Sequence, residues 1–315
     1  MEWYTTLMEL FFFIAGIGLL YKCSDILVEG TSKVALRIGI SSLIISLTIV
    51  AYGTSAPEFA TSALASYRAH SSLSLGNVLG SCLANLLLVL GISAVIKPLS
   101  VNLGIVKREL PILLVSTVLL LMLSIRGNLD ALSGLVMLCA FAMYLIFFIK
   151  MAKKERKRRI KFIENNRDGM PKYVLFIIFG LIGVVVGAQL LVDSAVYLAN
   201  ILGVPEFLIA ISMIAVGTSL PELAVSATAS LKGESDISIG NLIGSNVFNI
   251  LLILGVCSSI SIIHIDLKSM LSELFLLFVT LIMFPIFYTK GKVSRAEGAL
   301  LLAIYAVYLV LLFCK

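Results

Sequence analysis

Residues 53–91 and 217–255 carry nearly the same text twice, 164 positions apart and without a gap. The first copy runs GTSAPEFATSALAS…SLSLGNVLGSCLANLLLVLG and the second GTSLPELAVSATAS…SISIGNLIGSNVFNILLILG, with 21 of 39 positions identical. The offset continues outside the motifs, aligning Gly39 with Gly203, Glu109 with Glu273, Gly134 with Gly298 and Tyr144 with Tyr308. A chain written twice must fold as two related halves. Each copy also places a glutamate, Glu58 or Glu222, inside an otherwise apolar stretch.

The halves belong in a membrane. Hydrophobic residues make up 60% of the chain and charged residues 13%, far from the even balance of a soluble domain. Ten apolar segments occur near residues 7–28, 41–66, 73–96, 109–125, 129–150, 173–197, 205–230, 237–260, 271–289 and 297–314. Each can span a hydrocarbon core of roughly 30 Å as a helix, some with tilt. The start, MEWYTT, lacks the cationic stretch of a cleavable leader, so the first segment is expected to be a retained span. The expected fold is an all-α polytopic membrane protein of ten transmembrane helices. It divides into a first five-helix repeat (1–150), a basic linker (151–172) and a second repeat (173–315).

Charge sets the orientation. Ten of the 24 Lys and Arg lie between Lys150 and Lys172. Placing that linker in the cytoplasm puts both termini outside and leaves only Arg68, Arg126, Lys268 and Lys315 on the outer face. The net charge of +6 therefore reads as topology rather than nucleic-acid affinity. A lipid- or calmodulin-binding role for the linker is the alternative. Five spans per half also mean that the second half enters the membrane from the opposite side. Inverted halves of this kind form a site near the bilayer midplane that can open alternately to either face.

The repeated motifs supply the chemistry. Pro57 lacks an amide hydrogen, so the Gly53 carbonyl is expected to lose its helical partner, and Pro221 does the same to Gly217. Helices 2 and 7 should therefore be broken, with Glu58 and Glu222 just after the breaks. Ser55, Glu58 and Ser62 share one helical face, as do Ser219, Glu222 and Ser226. On the following segments Asn77, Ser81 and Asn85, and again Asn241, Ser245 and Asn249, recur every four residues as polar stripes. Gly76/Gly80 and Gly240/Gly244 give spacings that allow close helix approach. A proline kink with back-bonded serines, or polar glue between helices, would explain either feature alone. A mid-span carboxylate, present twice and costing roughly 2.5–3.5 kcal/mol at the midplane if left isolated, points instead to a cation site. The donors are carboxylate, hydroxyl, amide and carbonyl oxygens, which suit Na+ and Ca2+.

The paired GTSxPE and GNxxGSxxxN motifs resemble the two alpha-repeats of the sodium/calcium exchanger family, within the calcium/cation antiporter superfamily. The likeness covers essentially the whole chain and is greatest to compact prokaryotic members. It implies that segments 1 and 6 slide across a core of the other eight, with Ca2+ and Na+ competing for one central cluster. By motif, Glu58 and Glu222 would bridge both ions. Thr54 and Thr218 would offer mainly backbone carbonyls, as would Ala51 and Ala215 one turn earlier. Ser55, Ser219, Ser81 and Ser245 would ligate sodium, and Asn85 and Asn249 would line the centre. Many relatives carry Asp where Asn249 stands, and the missing acid argues against potassium use. Cys82 stands in the first copy where the second has Asn246.

The expected function is therefore electrogenic, potassium-independent exchange of Ca2+ for Na+ across the plasma membrane. Proton-coupled exchange of Ca2+ or another divalent cation is the alternative, and a cation channel a further one. No enzyme is expected: HExxH is absent, and His70 and His264 fall at external ends. No cofactor or nucleic-acid partner is expected beyond the transported ions and the lipid bilayer, and a monomer would suffice. Glu29 and Asp193, and Glu109 and Glu273, read as solvated helix ends. The five cysteines lack metal or disulfide spacing and read as packing residues.

Overall fold

The computed structural model describes residues 2–163, 170–202, 217–288 and 291–313. Long apolar helices dominate it, because lipid offers no partner for backbone amides and each span must satisfy its own. Helix α1 covers Glu2–Ile38, and α2 (Ser42–Thr54) meets α3 (Ala56–Tyr67) at a 48° bend. They are followed by α4 (Ser72–Ile96), α5 (Leu110–Ser124) and α6 (Ala131–Ile163). The second half contains α7 (Met170–Ile201), α8 (Leu220–Lys232), α9 (Ser235–Ile260), α10 (Leu267–Tyr288) and α11 (Arg295–Phe313). Among the described residues, six helices are long and apolar enough to cross a membrane, or seven if the bent α2–α3 pair is one span. Helices α5, α8 and α11 are shorter than any of those six.

Two helices form the centre. About three quarters of the apolar stretch of α4 and of α9 is buried, against less than two fifths in the other long helices. α1 and α7 instead run along each other at the periphery. Small residues set their approach: a Cβ on Gly16 would lie 2.9 Å from the Gly187 carbonyl oxygen, and one on Gly180 would lie 3.0 Å from that of Cys23. Of the two GxxxG spacings, Gly240 and Gly244 make the expected close approach, lying against Leu43, Ser46, Leu47 and Ala51 of α2.

Two short antiparallel ladders tie the halves together. Strand β1 (Leu99–Ser100) pairs with β4 (Lys292–Val293), and β2 (Asn128–Leu129) pairs with β3 (Ile263–His264). α5 joins β1 to β2 and α10 joins β3 to β4, so the two ladders close opposite ends of the molecule. Loops that correspond across the 164-residue offset therefore lie at opposite ends.

The starts of α6 and α10 are capped by aspartates. Asp130 accepts the Ser133 amide at 2.9 Å ahead of α6, and Asp266 accepts the Ser269 amide at 2.8 Å ahead of α10. The Ser133 amide and hydroxyl hold the Asp130 carboxyl below its ordinary range. The Ser269 hydroxyl and amide act likewise on Asp266.

Several expectations change. α6 does not stop at residue 150 but continues through the basic stretch to Ile163. Lys and Arg are good helix formers, Met151 and Ala152 pack on the core, and Glu155 accepts the Ser41 amide at 2.8 Å. Glu109 and Glu273 are buried rather than solvated. Each has a local donor that makes burial tolerable: Arg108 Nε lies 2.6 Å from Glu109, and Ser124 Oγ 2.8 Å from Glu273. Asp193 is exposed as expected, and Glu29 is half-buried. Cys82 and Cys257 pack in the core, whereas Cys139 faces outward.

Candidate functional site

The site begins at the two helix breaks. Ser55 (φ −84°, ψ 12°) and Ser219 (φ −88°, ψ 6°) are the caps of α3 and α8, each followed by a proline in the first turn. Proline suits this position because its missing N–H is one the helix start cannot use. The Gly53 carbonyl, expected to be stranded, is taken up by a backbone N–H in the tightened end of α2. Glu58 and Glu222 thus fall in the first turns of α3 and α8, where the helix dipole favours negative charge. Both are completely buried.

Around Glu222 the halves interlock. Ser55 Oγ of the first half donates to Glu222 Oε1 at 2.8 Å, and Ser245 Oγ lies 3.4 Å from the same oxygen. Ser245 Oγ also reaches the Ala51 carbonyl at 3.3 Å, as does Thr54 Oγ1 at 3.2 Å. Thr54 Oγ1 further contacts Asn241 Oδ1 at 3.1 Å. On the opposite side Ser81 Oγ pairs with Thr218 Oγ1 at 3.3 Å.

The remaining oxygens lack partners. Among the described residues, neither Glu58 oxygen, nor Glu222 Oε2, nor Ser219 Oγ, nor Asn85 Oδ1, nor either end of the Asn249 amide makes a hydrogen bond. All are buried. Buried polar groups are ordinarily satisfied, and a carboxylate so placed is costly unless a cation meets it. Asn85 and Asn249 each begin or enter a π-helical turn, Ala84–Val89 and Asn249–Ile253. Such wide turns concentrate at functional sites.

Hydrogen bonds therefore bring together Glu222, Ser55, Ser245, Ala51 and Thr54, and separately Ser81 and Thr218, while Glu58, Ser219, Asn85 and Asn249 are buried with unpartnered oxygens. Ala215 lies outside the described residues. A second layer was only half legible. Asn77 Nδ2 donates to Ser62 Oγ at 2.9 Å, and Asn241 Nδ2 to Ser226 Oγ at 3.2 Å. These bonds fix α4 on α3 and α9 on α8. The polar stripes in the sequence were their only signal.

A family model described as sodium/calcium exchanger protein matches residues 8–150 and again residues 172–314. The chain belongs to the sodium/calcium exchanger family. Among curated relatives, the putative antiporter CaxA of Alkalimonas amylolytica is 36% identical, with 98% of this chain and 99% of that protein covered. Inner membrane protein YrbG of Escherichia coli is 33% identical, with 95% of each chain covered. A solved structure of the sodium-calcium exchanger NCX_Mj, soaked with zero Na+ and Ca2+, matches with a TM-score of 0.86 and 33% identity. That match spans 98% of this chain and 99% of the other. Together with its own apolar helices, these likenesses make this member of the exchanger family a membrane-embedded calcium/cation antiporter.

Proposed function

We propose that this exchanger-family protein moves Ca2+ against Na+ by alternating access, with Glu58 and Glu222 as the shared ligands. The observation that carries this reading is the pair of fully buried carboxylates at helix breaks, three of whose four oxygens have no hydrogen-bond partner among the described residues. Two negative charges balance one Ca2+ or two Na+; a third Na+ adds a positive charge, which makes exchange electrogenic. The backbone carbonyl of Ala51 and the hydroxyls of Ser55, Ser81, Ser219 and Ser245 supply neutral oxygens suited to Na+, as Thr54 and Thr218 do beside the helix breaks. With Asn rather than an acid at 249, the site has no extra charge to hold potassium. The chemistry needs no cofactor and no covalent step, and one monomer holds the whole cluster.

In this reading ten spans form two inverted repeats, 1–150 and 173–315, joined by the cytoplasmic linker 151–172. The double match of the family model supports the repeat, and the crosswise ladders β1–β4 and β2–β3 support opposite orientation. Both termini are outside and the protein sits in the plasma membrane, following the distribution of basic residues. The α1–α7 pair slides over the core formed by the other helices. At the inner end Lys232 Nζ meets Asp25 at 2.7 Å and Ser32 Oγ donates to Glu234 at 2.8 Å, holding α1 against the α8–α9 loop.

Radiolabelled calcium uptake into proteoliposomes loaded with Na+, K+ or choline tests the proposal. Uptake driven only by internal Na+ and altered by membrane voltage is expected. Equal uptake with choline inside, or uptake driven by an imposed pH gradient alone, overturns sodium coupling.

A further inference from the structure

The two GNxxGSxxxN motifs differ beside the site, where the first copy has Cys82 and the second Asn246. Asn246 is fully buried and uses both ends of its amide. Its Nδ2 donates to the backbone carbonyl of Cys82 at 3.3 Å, and its Oδ1 accepts Asn85 Nδ2 at 3.1 Å. A carbonyl can only accept, so the Asn246 amide has one usable orientation. Its oxygen must face Asn85, and Asn85 must answer with its NH2 group. That leaves the Asn85 oxygen free, buried and without a partner. The π turn carrying Asn85 packs against α8, the helix of Glu222.

The other half has a weak thiol in place of that amide. The Cys82 thiol lies 4.0 Å from the Asn246 main-chain carbonyl and beside the Asn249 side chain, which it can hold only loosely. Asn249, the counterpart of Asn85, makes no hydrogen bond at either end of its amide among the described residues. Its π turn packs against α3, the helix of Glu58.

We infer that Asn246 is a positioning residue: it locks Asn85 so that the Asn85 carbonyl oxygen is presented to the transported cation, while Cys82 leaves Asn249 free to turn. The inference rests on the exchange reading above. The Glu222 half then offers a preset oxygen. In the Glu58 half Asn249 turns its oxygen to a bound cation and its NH2 group to the Glu58 carboxylate once the cation has left. Sequence-equivalent amides thereby do different work.

The test is sodium-driven calcium uptake by the full-length protein in proteoliposomes, with half-saturating Ca2+ and Na+ concentrations measured separately from maximal rate. Asn246→Cys, which copies the other half, is expected to raise the half-saturating concentrations about fivefold, the size of one ordinary hydrogen bond, with little change in maximal rate. Asn85→Ala should weaken binding in the wild type but add almost nothing in the Asn246→Cys background, because the lock it needs is gone. In the exchanged pair Cys82→Asn with Asn246→Cys, sensitivity should move to Asn249→Ala. Wild-type affinities in Asn246→Cys, or an undiminished Asn85→Ala effect in that background, overturn the inference. Should Asn246→Cys not fold, Cys82→Asn alone decides. It should make Asn249→Ala as costly as Asn85→Ala, and an unchanged Asn249→Ala effect overturns the lock. A wild-type protein without sodium-driven uptake overturns the exchange reading itself; exchange with a silent Asn246→Cys overturns the lock alone.

Discussion

Replacing Gly244 by alanine adds a single methyl group where α9 meets α2, at one of the tightest contacts in the core. That Cβ would stand 2.6 Å from the Leu47 carbonyl oxygen and 2.8 Å from both the Leu47 Cα and the Ala51 Cβ. Ordinary contact between such atoms begins near ~3.5 Å, so α2 must retreat by most of an ångström. Its obstacles are backbone atoms and a short side chain, none of which can swing aside. Overpacking of this kind costs about 1–3 kcal/mol, against a helix-propensity gain of about 1 kcal/mol for Gly→Ala, leaving a net loss of up to about 2 kcal/mol. The displaced segment also matters for function. The Leu47 carbonyl accepts the Tyr144 hydroxyl at 3.1 Å, and the Ala51 carbonyl accepts Ser245 at 3.3 Å. Gly244→Ala should therefore lower the midpoint of heat-induced loss of the monodisperse peak in size-exclusion chromatography and slow calcium uptake together. Gly18→Ala is the control, since Gly18 is exposed and no atom lies within 4 Å of its built Cβ; it should match or exceed wild-type stability. A Gly244→Ala protein with wild-type midpoint and transport would refute the reasoning.

Three further outcomes follow from the same contacts. Ser55→Ala removes the shorter of the two hydrogen bonds on Glu222 Oε1; bonds to a charged group contribute about 1.5–3 kcal/mol, so half-saturating Na+ should rise tenfold or more in flux assays. Lys232→Gln or Asp25→Asn breaks a partly exposed ion pair of about 0.5–1 kcal/mol after screening. In inside-out vesicles either change should raise apparent affinity for cytoplasmic calcium about two- to fivefold, and equal affinities would refute the inner tie. Asp130→Ala removes a cap whose carboxyl is held below its ordinary range by the Ser133 amide and hydroxyl. A lowered pKa in the folded protein means the contribution is present at neutral pH and lost as pH falls through that lowered value. The thermal midpoints of variant and wild type should differ at pH 7 and converge in strong acid.

The breaks in the site helices were legible because proline and a mid-span acid leave few alternatives in lipid. So was the central place of α4 and α9, whose polar stripes cannot face hydrocarbon. The sequence did not disclose how unequal the halves are. Thr54 and Thr218 are identical in type and context, yet Thr54 contacts Asn241 while Thr218 pairs with Ser81. Repeat identity predicts equal contacts, but the two threonines take different partners in the folded chain. Glu109 and Glu273 were misread because the apolar pattern ends at them, and burial there depends on donors such as Ser124, 149 positions from Glu273. The start of α2 is held by Glu155, 114 positions away on the basic extension of α6. No local pattern announces either contact.

Sodium-gradient-driven calcium uptake by Glu58→Gln and Glu222→Gln proteins, each reconstituted beside the wild type and checked for a monodisperse fold, tests the central claim most directly. Both amide variants should lose counter-transport almost completely, because each removes one of the two charges that balance the divalent ion. Full-rate exchange by either variant would contradict the assignment of these buried acids as the ion-binding pair.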